Sequence, residues 1–319
     1  MPARYDVLGV GNAIMDVIAP VPDAFLDLNA IEKGAMTLID EPRALDLHSK
    51  FTSESAPKEI AGGSGANTLA GIAMMGVAGA YVGKVGEDEI GQRFVKSMHD
   101  AGLDFDTPPL KGRDATARCL VAVTPDGERS MNTFLGASVK FDAKDIVREQ
   151  VEGSRIIYME GYLFDKDPAK KAFVKAAEIA QAANRTVSLT LSDSFCVERH
   201  RESFRQLVEH HTDILFANES ELLSLYRGLS FGDALNALAA VDKIACITRS
   251  EKGSIILEGG NRHLIPAASV DHIKDATGAG DQYAAGVLAG HVTGMSWIEA
   301  GHLGSRAAAE VISHYGARP

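Results

Sequence analysis

The chain has too few cysteines to be held together by disulfides. Its 319 residues include three, Cys119, Cys196 and Cys246, far apart and in no metal-ligand spacing. That excludes a disulfide frame and predicts reduced thiols in a cytoplasmic setting. Positive charge is also in short supply: 32 basic residues stand against 43 acidic ones, a formal net charge of −11. Such a surface repels nucleic acid and anionic membranes at long range, so neither is expected as a partner, and any phosphate must be gripped by a local device. Long apolar runs are missing too. The weakly polar stretch 65–83 is interrupted by Asn67 and Thr68 and suits a buried helix against a sheet better than a membrane span. The first twenty residues carry a single basic residue, and Asn12 and Asp16 break their apolar run, which makes a poor secretion signal. No linker rich in Pro, Gly or Ser divides the chain and no internal repeat is visible, so residues 1–319 are expected to form a single domain.

What is present is an alternation of short apolar runs with longer amphipathic ones. The runs YDVLGVG, AYVGKVG, RIIYMEG, TVSLTLS, DILFAN, KIACITRS and SIILEG read as strands. Helices are predicted over 65–75, 90–101, 169–183, 219–226, 281–292 and 297–314. Parallel strands with crossover helices follow, an α/β fold with both faces of its sheet covered. Two segments, about 14–42 and 112–137, are strand-like with no intervening helix, and the turn signal PDG at Pro125–Gly127 joins two arms of a hairpin. They predict a small β lid over the carboxyl ends of the strands, where open α/β sheets bind ligands.

Two familiar phosphate-binding devices are absent. GVGNAI follows the first strand, but Ile14 occupies the place of the third glycine, and Pro20 and Pro22 deny the helix that a dinucleotide fingerprint needs. GKVG at Gly83 lacks the hydroxyl residue of a Walker loop. A third device is written in DATGAGDQYAAGVLAG, residues Asp275 to Gly290. Small residues at a helix N-terminus let an anion approach unpaired amides and the positive end of the helix dipole, so Gly278, Ala279 and Gly280 form a candidate anion hole. Asp281 at the same spot would repel a resting phosphate. It is either an N-cap or a base facing an incoming hydroxyl.

DATGAGD, which has Ala276 where Thr is usual, and GGSGAN resemble the two signatures of the ribokinase-like (PfkB) carbohydrate kinase family. With both at the expected ends of the chain, the similarity extends over nearly all of it. The resemblance implies a three-layer sandwich with a mainly parallel central sheet and a β lid, with ATP and Mg2+ as cofactors. It makes Asp281 the general base and puts Gly62, Gly63 and Asn67 at the acceptor. NESE resembles the family's N-x-x-E element, in which Asn218 and Glu221 would place magnesium and phosphate through water; the same spacing is also a capping box. GNAIMD and EAGHLGSRAAAEVI are similar to segments of the adenosine-phosphorylating members, where Asn12 and Asp16 would bind ribose hydroxyls and His302 lies beside the nucleotide. Tyr162, Leu163 and Phe164 resemble an apolar wall for a purine, although core packing accounts for such residues equally well. Thr248, Ser250 and Gly253, together with Thr277, correspond to positions that carry the ATP sugar and phosphates, or else belong to a surface turn. Arg118, on the predicted lid strand, is a candidate for reaching the γ-phosphate on closure, or one residue of a solvated face. The activity implied is transfer of phosphate from ATP to the 5'-hydroxyl of a ribonucleoside, adenosine first. A sugar kinase acting on ribose, fructose or a related ketose is the alternative, and a sensor without turnover the remote one. Oligomeric state is not written in the sequence.

Overall fold

In the computed structural model, which describes residues 3–319 and every side chain among them except that of Asp165, fourteen strands fall into two sheets. They are β1 (Tyr5–Val10), β2 (Ile14–Pro20), β3 (Met36–Leu38), β4 (Lys58–Gly62), β5 (Gly79–Val82), β6 (Leu103–Asp104), β7 (Ala117–Val123), β8 (Arg129–Phe134), β9 (Ser154–Glu160), β10 (Thr186–Thr190), β11 (Ile214–Asn218), β12 (Ile244–Thr248), β13 (Ser254–Glu258) and β14 (Asn261–Ile265). The larger sheet runs β14-β13-β12-β11-β10-β9-β1-β5-β6. Its strands from β6 to β12 are parallel, and β13 and β14 turn back antiparallel at one edge. β1 lies between β5 and β9, with Leu8 opposite Ala80 and Ile157. A strand in that position is covered on both faces, which is why YDVLGV is buried almost throughout instead of alternating.

Each face of this sheet carries a core. Ala172, Phe173 and Ala176 of the helix Asp167–Ala182 pack on one side with Leu8, Ile157 and Leu189. On the other, Leu69 and Ile72 of the helix Ser64–Met74 and Val287 and Leu288 of the helix Ala279–Val292 pack with Val7, Tyr158 and Phe216. Each fully buried Leu, Ile or Phe contributes about 1.5–3 kcal/mol. The helix Glu89–Asp100 shows how the local sequence sets such an element: Asp88 caps it by accepting from the Gly91 amide at 2.7 Å, and Ile90, Phe94 and Met98, four apart, form its buried stripe. The result is the ribokinase-like sandwich expected, and the six predicted helices are all present, the last ending at Val311.

The smaller sheet, β3-β8-β7-β2-β4, is the lid. β7 and β8 form the antiparallel hairpin around the PDG turn, with Gly127 at φ +84°. The lid is larger than its sequence suggests. A helix, Asp23–Leu28, separates β2 from β3, against the expectation of none. A fifth strand, β4, and the helix Glu41–Glu54 also belong to it. Phe25, Leu26, Leu47 and Phe51 bury one face of β2 and β7 in a core of their own.

An ion pair ties the lid to the main body. Arg129 of β8 bonds Asp275, and the two side chains are 13% and 3% exposed. Asp275 also accepts from the amides of Thr277 at 2.9 Å and Gly316 at 3.0 Å, and these partners hold its carboxyl below the usual range against the opposing effect of burial. Arg129→Ala leaves that carboxylate buried without its cation, so chemical denaturation should show a loss of about 3 kcal/mol. A midpoint equal to that of the parent protein would show that the pair carries no stability.

Candidate active site

The carboxyl ends of β10 to β12 and the starts of three helices converge on a cavity of about 90 Å3, lined by Ser64, Thr190, Asn218, Glu221, Thr248, Gly280 and Asp281 among others. This is the sheet edge at which the chain's phosphate device was expected. Gly278 caps the helix Ala279–Val292 at φ +81°, a conformation that costs a side chain dearly, and a Cβ there would sit 2.6 Å from the Ala317 carbonyl oxygen. Ala279 spends its amide weakly on the Ala276 carbonyl at 3.4 Å, whereas the amides of Gly280 and Asp281 have no backbone acceptor among the described residues. A Cβ on Gly280 would meet only open space. Two free amides at the positive end of a fourteen-residue helix are a place for developing negative charge.

Asp281 is not capping its own helix. Its Oδ1 accepts from Ser64 Oγ at 2.6 Å and its Oδ2 from Asn67 Nδ2 at 3.1 Å, both on the helix Ser64–Met74. Burial pushes its carboxyl up to about 6, against the opposing effects of those two hydrogen bonds and of Arg318. It is therefore ionised at neutral pH yet close enough to neutrality to take a proton.

Asp16 is the second carboxylate of the cleft. It lies on β2, and no hydrogen-bond donor reaches it among the described residues. Burial raises it to about 6, with Arg129 and Arg318 pulling the other way. Gly62 of β4 leaves the space the Asp16 carboxylate occupies, since a Cβ there would collide with it. Gly63, at φ +91°, turns the chain from β4 into the helix Ser64–Met74, where a Cβ would lie 2.5 Å from the Asn12 carbonyl oxygen. The Asn12 side chain is held on both sides: Nδ2 donates to Glu160 at 2.7 Å and Oδ1 accepts from Ser138 at 2.6 Å.

Asn218 and Glu221 form the complete capping box. The Glu221 amide donates to Asn218 Oδ1 at 2.8 Å, and Asn218 N and Nδ2 donate to the Glu221 carboxylate at 3.0 and 2.7 Å. Glu221 also faces the cavity, and burial raises it to about 7. Among the described residues no three His, Cys, Asp or Glu side chains gather as a metal cage. A lone carboxylate at a phosphate cavity does fit Mg2+, which keeps most of its waters and arrives with phosphates. Thr248 stands beside Asn218 in the β11–β12 register and lines the same cavity. Ser250 and Gly253 form the β12–β13 turn, both at positive φ, with the Gly253 amide donating to the Ser250 carbonyl at 3.0 Å. The Thr277 amide is engaged by Asp275, and His302 is half-buried on the helix Trp297–Val311.

Two expected residues lie elsewhere. Leu163 is 3% exposed and packs in the core beside Phe164, Phe173 and Phe204, so it supplies no open wall; Tyr162, 41% exposed, is the aromatic left facing the cleft carboxylates. Arg118 pairs with Met15 in the β2–β7 register while Asp16 pairs with Cys119. Side chains alternate along strands, so Arg118 points away from Asp16, toward the helix Glu41–Glu54, with Nη1 3.5 Å from His48 Nδ1. The cations that do act on the cleft, Arg129 and Arg318, escaped the sequence reading, as did Glu160. Glu160 is buried and raised to about 7. It ties β9 to the amides of Asn12 at 3.3 Å and Gly65 at 2.7 Å.

A half-buried carboxylate beside free helix amides, under a β lid at the carboxyl edge of a ribokinase-like sheet, defines a phosphotransferase acting on an alcohol. Residues 39–319 match the pattern of the pfkB family carbohydrate kinases. The chain belongs to that family, and ATP is its co-substrate. An adenosine kinase of Schizophyllum commune is 26% identical, over 94% of this chain and 93% of its own length. Two solved structures are more similar. The adenosine kinase of Sinorhizobium meliloti is 46% identical with a TM-score of 0.91, and a probable sugar kinase of Rhizobium etli CFN 42 is 45% identical with the same score. Each covers 99% of this chain, and the chain covers 96% of each.

Proposed function

We propose that this kinase transfers the γ-phosphoryl group of ATP to the 5'-hydroxyl of a ribonucleoside, adenosine first, giving AMP and ADP. One observation carries the reading: Asp281 is gripped by Ser64 and Asn67 beside the free amides of a helix start, while Asp16, on the lid above the same cleft, has no donor of its own. Asp281 takes the proton of the attacking hydroxyl. The Gly280 and Asp281 amides take up charge on the transferring group. Asp16 accepts from the vicinal hydroxyls of the ribose, and the exposed ring of Tyr162 offers a face to the base. Thr248, which lines the cavity, would meet the nucleotide, with Thr277 and His302 as its further contacts. Mg2+ entering with ATP would be met through water by Glu221 and would neutralise phosphate charge.

The sugar-kinase reading rests on the Rhizobium etli neighbour, which is as similar as the Sinorhizobium meliloti one. A coupled ADP-release assay over a panel of nucleosides and sugars separates the two. Burying and stacking a purine adds what a free sugar cannot, so kcat/KM for adenosine should exceed that for ribose or fructose on the order of 10²-fold. A sugar turned over faster than every nucleoside would overturn the nucleoside reading. Absence of ADP release with every acceptor would leave a sensor.

A further inference from the structure

The segment following the helix Trp297–Val311 returns to the cleft. The Ala317 carbonyl accepts from Gln282 Nε2 at 3.1 Å, and the Ala317 backbone packs against Gly278 at the anion hole. The next residue, Arg318, donates from Nε to Asn67 Oδ1 at 3.1 Å, and its Nη2 lies 3.8 Å from Met98 Sδ. Asn67 is the residue whose Nδ2 holds Asp281. Its amide is thus read from both ends: Arg318 fixes the oxygen, which commits the nitrogen to the carboxylate.

We propose that Arg318 is a positioning residue for the phosphoryl transfer, orienting Asn67 onto Asp281 and holding a positive charge beside it. The inference rests on the assignment of Asp281 as base. Among the described residues the half-buried Arg318 has no ion-pair partner within 4 Å, and holding an unpaired guanidinium partly out of water is costly, lowering its own value to about 10. A charge retained at that cost points to use. Around Asp281 stand the carboxylates Asp16, Glu160 and Glu221 and the tyrosines Tyr81, Tyr158 and Tyr162, all of which Asp281 pushes toward their protonated forms. Arg318 is the cation that opposes the effect of burial at Asp281 itself.

The test compares Arg318→Gln and Arg318→Lys with the parent protein, by kcat, by KM for ATP, by the acid limb of kcat against pH, and by Tm. In the parent the limb should fall near pH 6, where Asp281 takes up its proton. The Gln variant should lose roughly 10- to 100-fold in kcat, the equivalent of one charge-assisted hydrogen bond, and its limb should move to higher pH. The Lys variant keeps the charge but not the planar donor, so its limb should stay in place while kcat falls less. An unmoved limb in a folded Gln variant would overturn the proposal, as would a kcat loss accompanied by an equal rise in KM for ATP. If the Gln variant does not fold, the Lys variant decides: a lower kcat at an unchanged limb supports the proposal, and an unchanged kcat overturns it. Asp281→Asn, assayed alongside, keeps the two assignments apart. Full activity there fails the base itself; lost activity there with an unmoved limb in Arg318→Gln fails only the role of Arg318.

Discussion

Asp281→Asn should fold, bind ATP, and lose roughly 10²- to 10⁴-fold in kcat, the span that removal of a general base commands. The substitution keeps the shape of the side chain, and with its oxygen accepting from Asn67 its nitrogen can donate to the Ser64 hydroxyl, so the packing of the helix starts is preserved. What it removes is the capacity to take a proton. It also removes a strain on the fold. Asp281 titrates at about 6 in the folded protein against an ordinary value of 3.8, so the folded state holds its proton more tightly than the unfolded one. This group's contribution to stability is complete below the unfolded value and is lost as pH rises through the folded one. Above pH 6 the parent carries the full cost of a buried carboxylate, and the amide variant does not. Its Tm at pH 7.5 should equal or exceed the parent's, while its activity collapses. Activity within threefold of the parent would end the assignment, and a lowered Tm accompanying the loss would make it a folding effect. Stability surrendered at a reacting group is the pattern expected where chemistry and folding compete for one side chain.

The parts of this protein that were legible in its sequence are those governed by local pattern. Strands such as YDVLGV and TVSLTLS declare themselves by continuous burial at the sheet centre, and the glycines of DATGAGD by the approach they permit. What depended on register was not legible. Arg118 and Asp16 both lie on lid strands, but pairing of Met15 with Arg118 puts the two on opposite faces, and a shift of one residue would have reversed that. The six-residue helix Asp23–Leu28 is too short to show a period, and its place is fixed by Phe25 and Leu26 reaching the lid core. Leu163 reads the same as a wall or as a core residue until its neighbours Phe173 and Phe204 are known. Arg318 lies 251 residues from Asn67 along the chain, and no spacing rule joins them.

Asp16→Ala should abolish discrimination at the ribose. The half-buried carboxylate is pushed up to about 6 by its loss of water and has no donor among the described residues, so it is held in an unsatisfied state that a pair of vicinal hydroxyls can relieve. A site built to receive hydroxyl donors rejects an analogue lacking one far more strongly than an apolar pocket rejects a missing methylene. In the parent, adenosine should therefore be a better substrate than 2'-deoxyadenosine. The alanine variant should lose roughly 10²- to 10³-fold in kcat/KM for adenosine, the sum of two hydrogen bonds to a charged acceptor. It should lose less for 2'-deoxyadenosine, so that the two substrates become nearly equal. KM for ATP should stay within twofold, because the Asp281 amide, Glu221 and Thr248 are untouched. Steady-state kinetics with both nucleosides, in parent and variant, closes the cycle. If ATP and nucleoside suffer equally, Asp16 is holding up the lid, and if the preference for the 2'-hydroxyl survives, another group reads the ribose.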